Sequence, residues 1–148
     1  MLLKLLPEQV SKWWDELREG IELALPPTVG SRPDRMNVLL ASILDGELTC
    51  WASYRKSLDS PSDLIAIVLT TFTFDYISGT KNLMIYCLYA IKDTVPQDWA
   101  DGVKDLSLVA RSEKCNRIIG FTKLDYICKI VQSLGGDADQ RFISIPIS

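Results

Sequence analysis

Residues 63–92 constrain this chain more than any other stretch. Leu64, Ile65, Ala66, Ile67, Val68, Leu69, Thr70, Thr71, Phe72, Thr73 and Phe74 form one run, and residues 82–91 (Asn-Leu-Met-Ile-Tyr-Cys-Leu-Tyr-Ala-Ile) form a second. Both are rich in β-branched and aromatic residues, and between them Ser78-Gly79-Thr80 offers a glycine where a tight turn wants a positive φ. Two such runs closed by so short a connection predict an antiparallel hairpin. Leu64, Ala66, Val68, Phe72 and Phe74 fall on one face of the first strand, while Ile65, Ile67, Leu69 and the paired threonines fall on the other. A strand apolar on both faces belongs to a sheet covered on both.

Around this hairpin the periodicity predicts four helices and three further strands. Pro7 suits a first helical position, and Val10, Trp13, Trp14, Leu17, Ile21 and Leu25 recur at helical spacing until Pro26-Pro27, giving a helix over 7–25. A second helix starts near Pro33-Asp34, buries Met36, Leu39, Leu40 and Ile43, and ends at Asp45-Gly46. Residues 48–54 read as a strand followed by a turn at 59–62, so that three consecutive strands make an antiparallel meander. A third helix over 97–114 carries Trp99, Val103, Leu106 and Ala110 inward. The strand after it, 117–121, is expected to return parallel to its predecessor. A fourth helix with Leu124, Ile127, Cys128, Val131 and Leu134 closes at Gly135-Gly136, and a last strand at 141–145 ends against Pro146, as edge strands do. Leu2 to Leu6 can supply a short first strand. The expectation is one α/β (α+β) domain over 1–148, with a mixed sheet and helices on both faces.

Composition removes several function classes. With 148 residues, 47% of them hydrophobic and 24% charged, the chain has enough apolar surface for a core. Its net charge of −3 and the lack of a basic stripe argue against nucleic acid as a partner. The longest apolar run, 83–91, is half of what a membrane-crossing helix needs, and residues 1–6 are too short for a signal-peptide core, so a soluble protein made in a cytoplasm is expected. The four cysteines, Cys50, Cys87, Cys115 and Cys128, stand singly in apolar segments, and there is no histidine. Buried free thiols are expected rather than a metal site, and Ser-His or Cys-His nucleophile pairs are ruled out.

The order of elements, together with the phrases at 39–51 (LLASILDGELTCW), 83–89 (LMIYCLY) and 115–121 (CNRIIGF), resembles the GNAT family of N-acetyltransferases over essentially the whole chain. More narrowly, it resembles acetyltransferase-like proteins of tailed-bacteriophage structural gene clusters. The resemblance implies a turn of pattern [QR]-x-x-G-x-[GA] between the fourth strand and the third helix, where glycines let backbone N–H groups face the pyrophosphate of acetyl-coenzyme A. The corresponding stretch here, 91–102 (IKDTVPQDWADG), lacks that pattern. Pro96 has no N–H to offer, Thr94 and Val95 are β-branched, and Asp93, Asp98 and Asp101 bring carboxylates to where an anion would sit.

The resemblance also implies a tyrosine acid on the fourth helix. That position is Val131 if Gly135 matches, or Gln132 if Gly136 does, and Tyr126 lies too far back. The fourth strand carries Tyr86, Cys87 and Tyr89 but no carboxylate base. On these grounds the expectation is a non-catalytic acetyltransferase-like protein, with no catalytic, cofactor-binding or metal residues and no cofactor. It would be made in a host cytoplasm and built into a virion, with other virion proteins or copies of itself as partners. Trp13, Trp14 and the strand ending at Pro146 are the expected contact surfaces. The alternatives are an acyl-coenzyme A-dependent N-acetyltransferase with a divergent coenzyme-binding turn, and an inhibitor-like acidic binding protein.

Overall fold

The computed structural model describes residues 1–55 and 63–147. A five-stranded sheet runs in the order β1 (Leu2–Lys4), β2 (Thr49–Arg55), β3 (Asp63–Asp75), β4 (Thr80–Ala90), β5 (Arg117–Gly120). All neighbours are antiparallel except β4 and β5, which are parallel. The hairpin and the meander are as the sequence predicts. The turn expected at 59–62 lies outside the described residues. Gly79 takes a φ of +67° at the tip of the hairpin, where the Asp75 carboxylate accepts hydrogen bonds from the Ser78 amide and hydroxyl.

The sheet contributes side chains to two cores. On one face Cys50, Ala52, Ile67, Leu69 and Cys87 meet Val10, Leu17, Ile21, Met36, Leu39 and Ile43. These come from α1 (Pro7–Lys12), α2 (Trp14–Leu23) and α3 (Arg35–Leu44). On the other face Leu83 meets Leu106 and Ala110 of α4 (Pro96–Ser112), with Ile85 and Ile118 alongside. Ile21, Ile67, Leu69 and Leu83 are almost wholly buried, and each contributes about 1.5–3 kcal/mol through the apolar surface it removes from water.

Two expectations are corrected. The helix expected over 7–25 is two helices, because at Trp13 the backbone leaves helical geometry (φ −104°, ψ 14°). Successive residues on a helix point about 100° apart, so adjacent indoles cannot share one face. Trp14 turns inward against the core, while Trp13 is exposed with the Lys12 ammonium over its ring. The last strand expected at 141–145 is not formed. After α5 (Asp125–Ser133) the chain runs on through Pro146 without a ladder partner. A strand needs a paired neighbour, and the outer side of β5 is not engaged by this segment of its own chain.

Candidate functional site

The parallel ladder between β4 and β5 is short. Asn82, Leu83, Met84 and Ile85 pair with Arg117, Ile118, Ile119 and Gly120, and there the pairing stops. Beyond Ile85, β4 continues to Ala90 bonded to β3 alone. Leu69 faces Cys87 and Thr70 faces Ile85, so Tyr86 is an extra residue with no opposite number on β3. A bulge bends its strand and adds local twist. Here it falls on the first residue after the last β5 partner, so the parallel pairing ends where the bulge begins. The unpaired carboxyl ends of these two parallel strands, called the wedge below, lie where open α/β sheets bind ligands.

The bulge also decides where the tyrosines go. In a regular strand Tyr86 and Cys87 would face opposite sides. Instead Tyr86, Cys87 and Tyr89 all lie against the core formed with α1–α3. Beside Tyr86 a cavity of about 340 Å³ opens between α3 and the loop before it, lined by Leu25, Val29, Arg32, Arg35, Leu39 and Leu48 among others. A second hollow, about 400 Å³, lies where Tyr89 meets Glu16, Glu19 and Gly20 of α2. Burial pushes the Tyr89 phenol up to about 12, with Cys50 and Cys87 adding to the effect, and it raises Tyr86 as well. Both phenols are therefore protonated at neutral pH and have a proton to donate. Cys50 and Cys87, likewise pushed up to about 12 by burial, are closed-off thiols.

At the other side of the wedge, the loop into α4 is tied down by its own side chains. The Val95 amide donates to Asp98 Oδ2 at 2.9 Å. Arg55, at the end of β2, donates to Asp98 from Nε at 3.0 Å and from Nη2 at 2.5 Å, and also reaches the Asp93 carbonyl at 3.0 Å. The Arg55 hydrogen bonds, together with that from Val95, hold the Asp98 carboxyl below the usual range despite its burial. Asp101 accepts from Gln97 Nε2 at 2.8 Å. Trp99 Nε1 donates to Thr94 Oγ1 at 3.1 Å, and its ring meets Tyr126 edge-on at 6.4 Å, joining the first turns of α4 and α5. The expectation that three carboxylates simply repel an anion here is thus too strong: Asp98 is balanced by Arg55, and Lys92 stands beside the loop in a 3.5 Å pair with Asp63.

None of the expected contact residues belongs to this wedge. Trp13 and Trp14 lie at the break between α1 and α2, and Pro146 lies in the unpaired C-terminal segment. Arg55, Trp99 and the bulge at Tyr86 went unmarked in the sequence as site features. Arg55 is 43 residues from Asp98, and no local pattern links them.

No protein-family model matches the sequence, and no curated protein sequence matches it significantly. Solved structures do. A probable acetyltransferase is 18% identical with a TM-score of 0.68, covering 100% of this chain and 98% of the other. The aminoglycoside acetyltransferase AAC(6')-Iy, in complex with the bisubstrate analogue CoA-S-monomethyl-acetylneamine, is 13% identical with a TM-score of 0.65, covering 100% and 97%. Ribosomal-protein-alanine N-acetyltransferase from Brucella melitensis biovar Abortus 2308 is 12% identical with a TM-score of 0.63, covering 99% of each chain. These likenesses overturn the reading of the chain as a non-catalytic virion component: the solved structures just described, which match it from end to end, are acetyltransferases, and nothing in them points to a phage particle. The inference from missing glycines weighed one loop, whereas the wedge depends on strand register. The chain has a GNAT-like acetyltransferase fold along its whole length.

Proposed function

We propose that this protein is an acyl-coenzyme A-dependent N-acetyltransferase whose coenzyme-binding turn departs from the [QR]-x-x-G-x-[GA] pattern. The observation that carries the reading is the parting of β4 from β5 at the Tyr86 bulge. Past Ile85 the outer edge of β4 has no strand beside it among the described residues, so its backbone groups can bond an extended, amide-bearing arm such as that of coenzyme A, much as an added strand would. The start of α4 supplies positive potential at the same end. Arg55 and Lys92 stand near the start of α4, each paired with a carboxylate, Asp98 and Asp63, with which a bound phosphate would compete.

The acceptor amine approaches from the opposite face, through the hollows beside Tyr86 and Tyr89. Because both phenols stay protonated, they can donate to a departing thiolate but cannot deprotonate the amine. The amine must arrive neutral or lose its proton to water or to Glu16 or Glu19, the carboxylates lining the hollow beside Tyr89. No carboxylate base on β4 takes that part.

Calorimetry with acetyl-coenzyme A tests the proposal. Saturable binding at one site per chain is expected, weakened at least about tenfold by Gly120→Leu, which adds a bulky side chain against Ile85 where the β4–β5 pairing ends. Absence of binding at millimolar coenzyme would overturn it. A thiol-release assay across amines of different charge then identifies the acceptor.

A further inference from the structure

Of the two hollows beside β4, the one next to α3 has walls of a definite chemistry. Arg35, Val38, Leu39 and Ser42 recur at helical spacing, so one face of α3 forms a side of the cavity, and Leu48 and Tyr86 help to close it. Its volume of about 340 Å³ lies at the small end of ligand pockets. Leu39 and Leu48 are buried, and the Ser42 hydroxyl already donates to the Val38 carbonyl at 3.0 Å, so this side is apolar.

Both charged residues of the wall are cationic. Arg32 is neutralised by Asp34, which accepts a two-pronged hydrogen bond from its guanidinium and leaves α3 without a side-chain cap. Arg35 is held far more loosely. Its Nη2 stands 3.5 Å from Glu22 Oε1 and its Nη1 3.5 Å from the Gly30 carbonyl, and the side chain is 32% exposed. Contacts at that distance are weak, and a single-pronged pair leaves the planar fork of the guanidinium able to take a carboxylate edge-on. Glu22 and Asp34 meet these arginines without lining the cavity, and Asp45 and Glu47, which follow the other end of α3, do not line it either. The second hollow has the opposite sign, with Glu16 and Glu19 on its wall. The two are neighbours: Leu25 borders the first and Ala24 the second, and their tyrosines, Tyr86 and Tyr89, lie on one strand.

We infer that the acceptor is a small apolar amino acid, with its carboxylate on Arg35, its side chain against Val38, Leu39 and Leu48, and its amine turned toward Tyr86 and the carboxylates beyond. The opposite signs of the two hollows orient a zwitterion in this sense, whereas a polycationic acceptor would meet two arginines in the first. Turnover rests on the acetyltransferase reading; binding of the amino acid does not. In turnover the neutral amine nitrogen bonds the acetyl carbonyl carbon and the carbon–sulfur bond breaks. Nitrogen loses one proton and sulfur gains one, leaving an N-acetyl amino acid and the coenzyme thiol.

Calorimetry with millimolar leucine and no coenzyme reads the binding by itself. One site per chain is expected. Isoamylamine, which is leucine without its carboxylate, and glycine, which lacks the apolar side group, should each bind at least about tenfold more weakly. Arg35→Gln should weaken leucine at least about tenfold and leave isoamylamine unchanged, while Arg35→Lys keeps part of the difference. Should Arg35→Gln fail to fold, the ratio of leucine to isoamylamine on the native protein decides. With acetyl-coenzyme A added, thiol release should favour leucine over isoamylamine in kcat/KM by a similar factor. Absence of both coenzyme binding and thiol release would count against the acetyltransferase reading, the amino-acid site then being judged by calorimetry. Failure of leucine to bind, equal affinity for isoamylamine, or leucine binding that survives Arg35→Gln intact would overturn the inference and leave that reading standing.

Discussion

Arg55 and Asp98, on β2 and α4, form a two-pronged ion pair with N–O distances of 3.0 and 2.5 Å, and the same carboxylate caps the amide of Val95. The Asp98 side chain is 8% exposed, so this one group both starts α4 and fixes it to the sheet. Asp98→Asn should lower stability by about 1–2 kcal/mol through the weakened cap and the lost charge-assisted bonds. For a domain of this size the melting temperature falls about 2–4 °C per kcal/mol.

The pH dependence of that difference has a definite sign. Because the folded carboxyl titrates below its usual range, its contribution is fully present above the unfolded value and is lost as pH falls through the folded one. The gap in melting temperature between the native protein and Asp98→Asn should be constant above about pH 5 and close progressively below about pH 4. Thermal melts in a buffer series check this. A gap that widens on acidification would contradict the assignment.

Gly20 sits against the ring of Tyr89, and a Cβ at that position would fall on the ring carbons. In a helix interior, alanine is otherwise better than glycine by about 1 kcal/mol. Gly20→Ala should therefore destabilise the native protein by displacing Tyr89, yet stabilise a Tyr89→Ala background by about 0.5–1 kcal/mol. Urea midpoints for the four proteins of the cycle expose the reversal of sign.

Trp51 Nε1 donates to Thr70 Oγ1 at 2.8 Å across the β2–β3 pair, and Thr70 is 2% exposed. Thr70→Val keeps the shape and removes the acceptor. The indole N–H is then left without its partner, at a cost of about 1–2 kcal/mol, with the Trp51 fluorescence shifting as its hydrogen bond is lost.

The thiols should separate into two classes. At pH 8 a thiol pushed up to about 12 is ionised to about one part in ten thousand, and Cys50 and Cys87 are also shielded from solvent. A maleimide added to the native protein should label Cys115 and Cys128, which are half-buried, well before the other two. Peptide mapping after a timed reaction gives the order, and early labelling of Cys87 would show that its core opens.

Local chemistry was enough to read much of this architecture from the sequence. The hairpin, the meander and the α4 crossover to a parallel strand follow from residue type and alternation. The glycines at 46, 79 and 135 take positive φ where the sequence calls for stops and turns. The site was far less legible. Residues 85–88 look like an unbroken strand, and only the register with β3 shows that Tyr86 is the extra residue. Asp98 reads as one more repelling carboxylate until Arg55 arrives from another strand. The missing glycine pattern was visible, whereas the end of the β4–β5 pairing at the Tyr86 bulge is set by strand register, which no local motif records.

What the amino-acid order determined alone is the set of elements and the faces they bury, because turn chemistry and hydrophobic spacing act over a few residues. What only the tertiary structure decided is where strands part, which charges neutralise each other, and that the segment after β5 stays unpaired and bare. Those outcomes depend on register and on contacts between residues distant in sequence, where a shift of one residue changes the face or the partner of every side chain that follows.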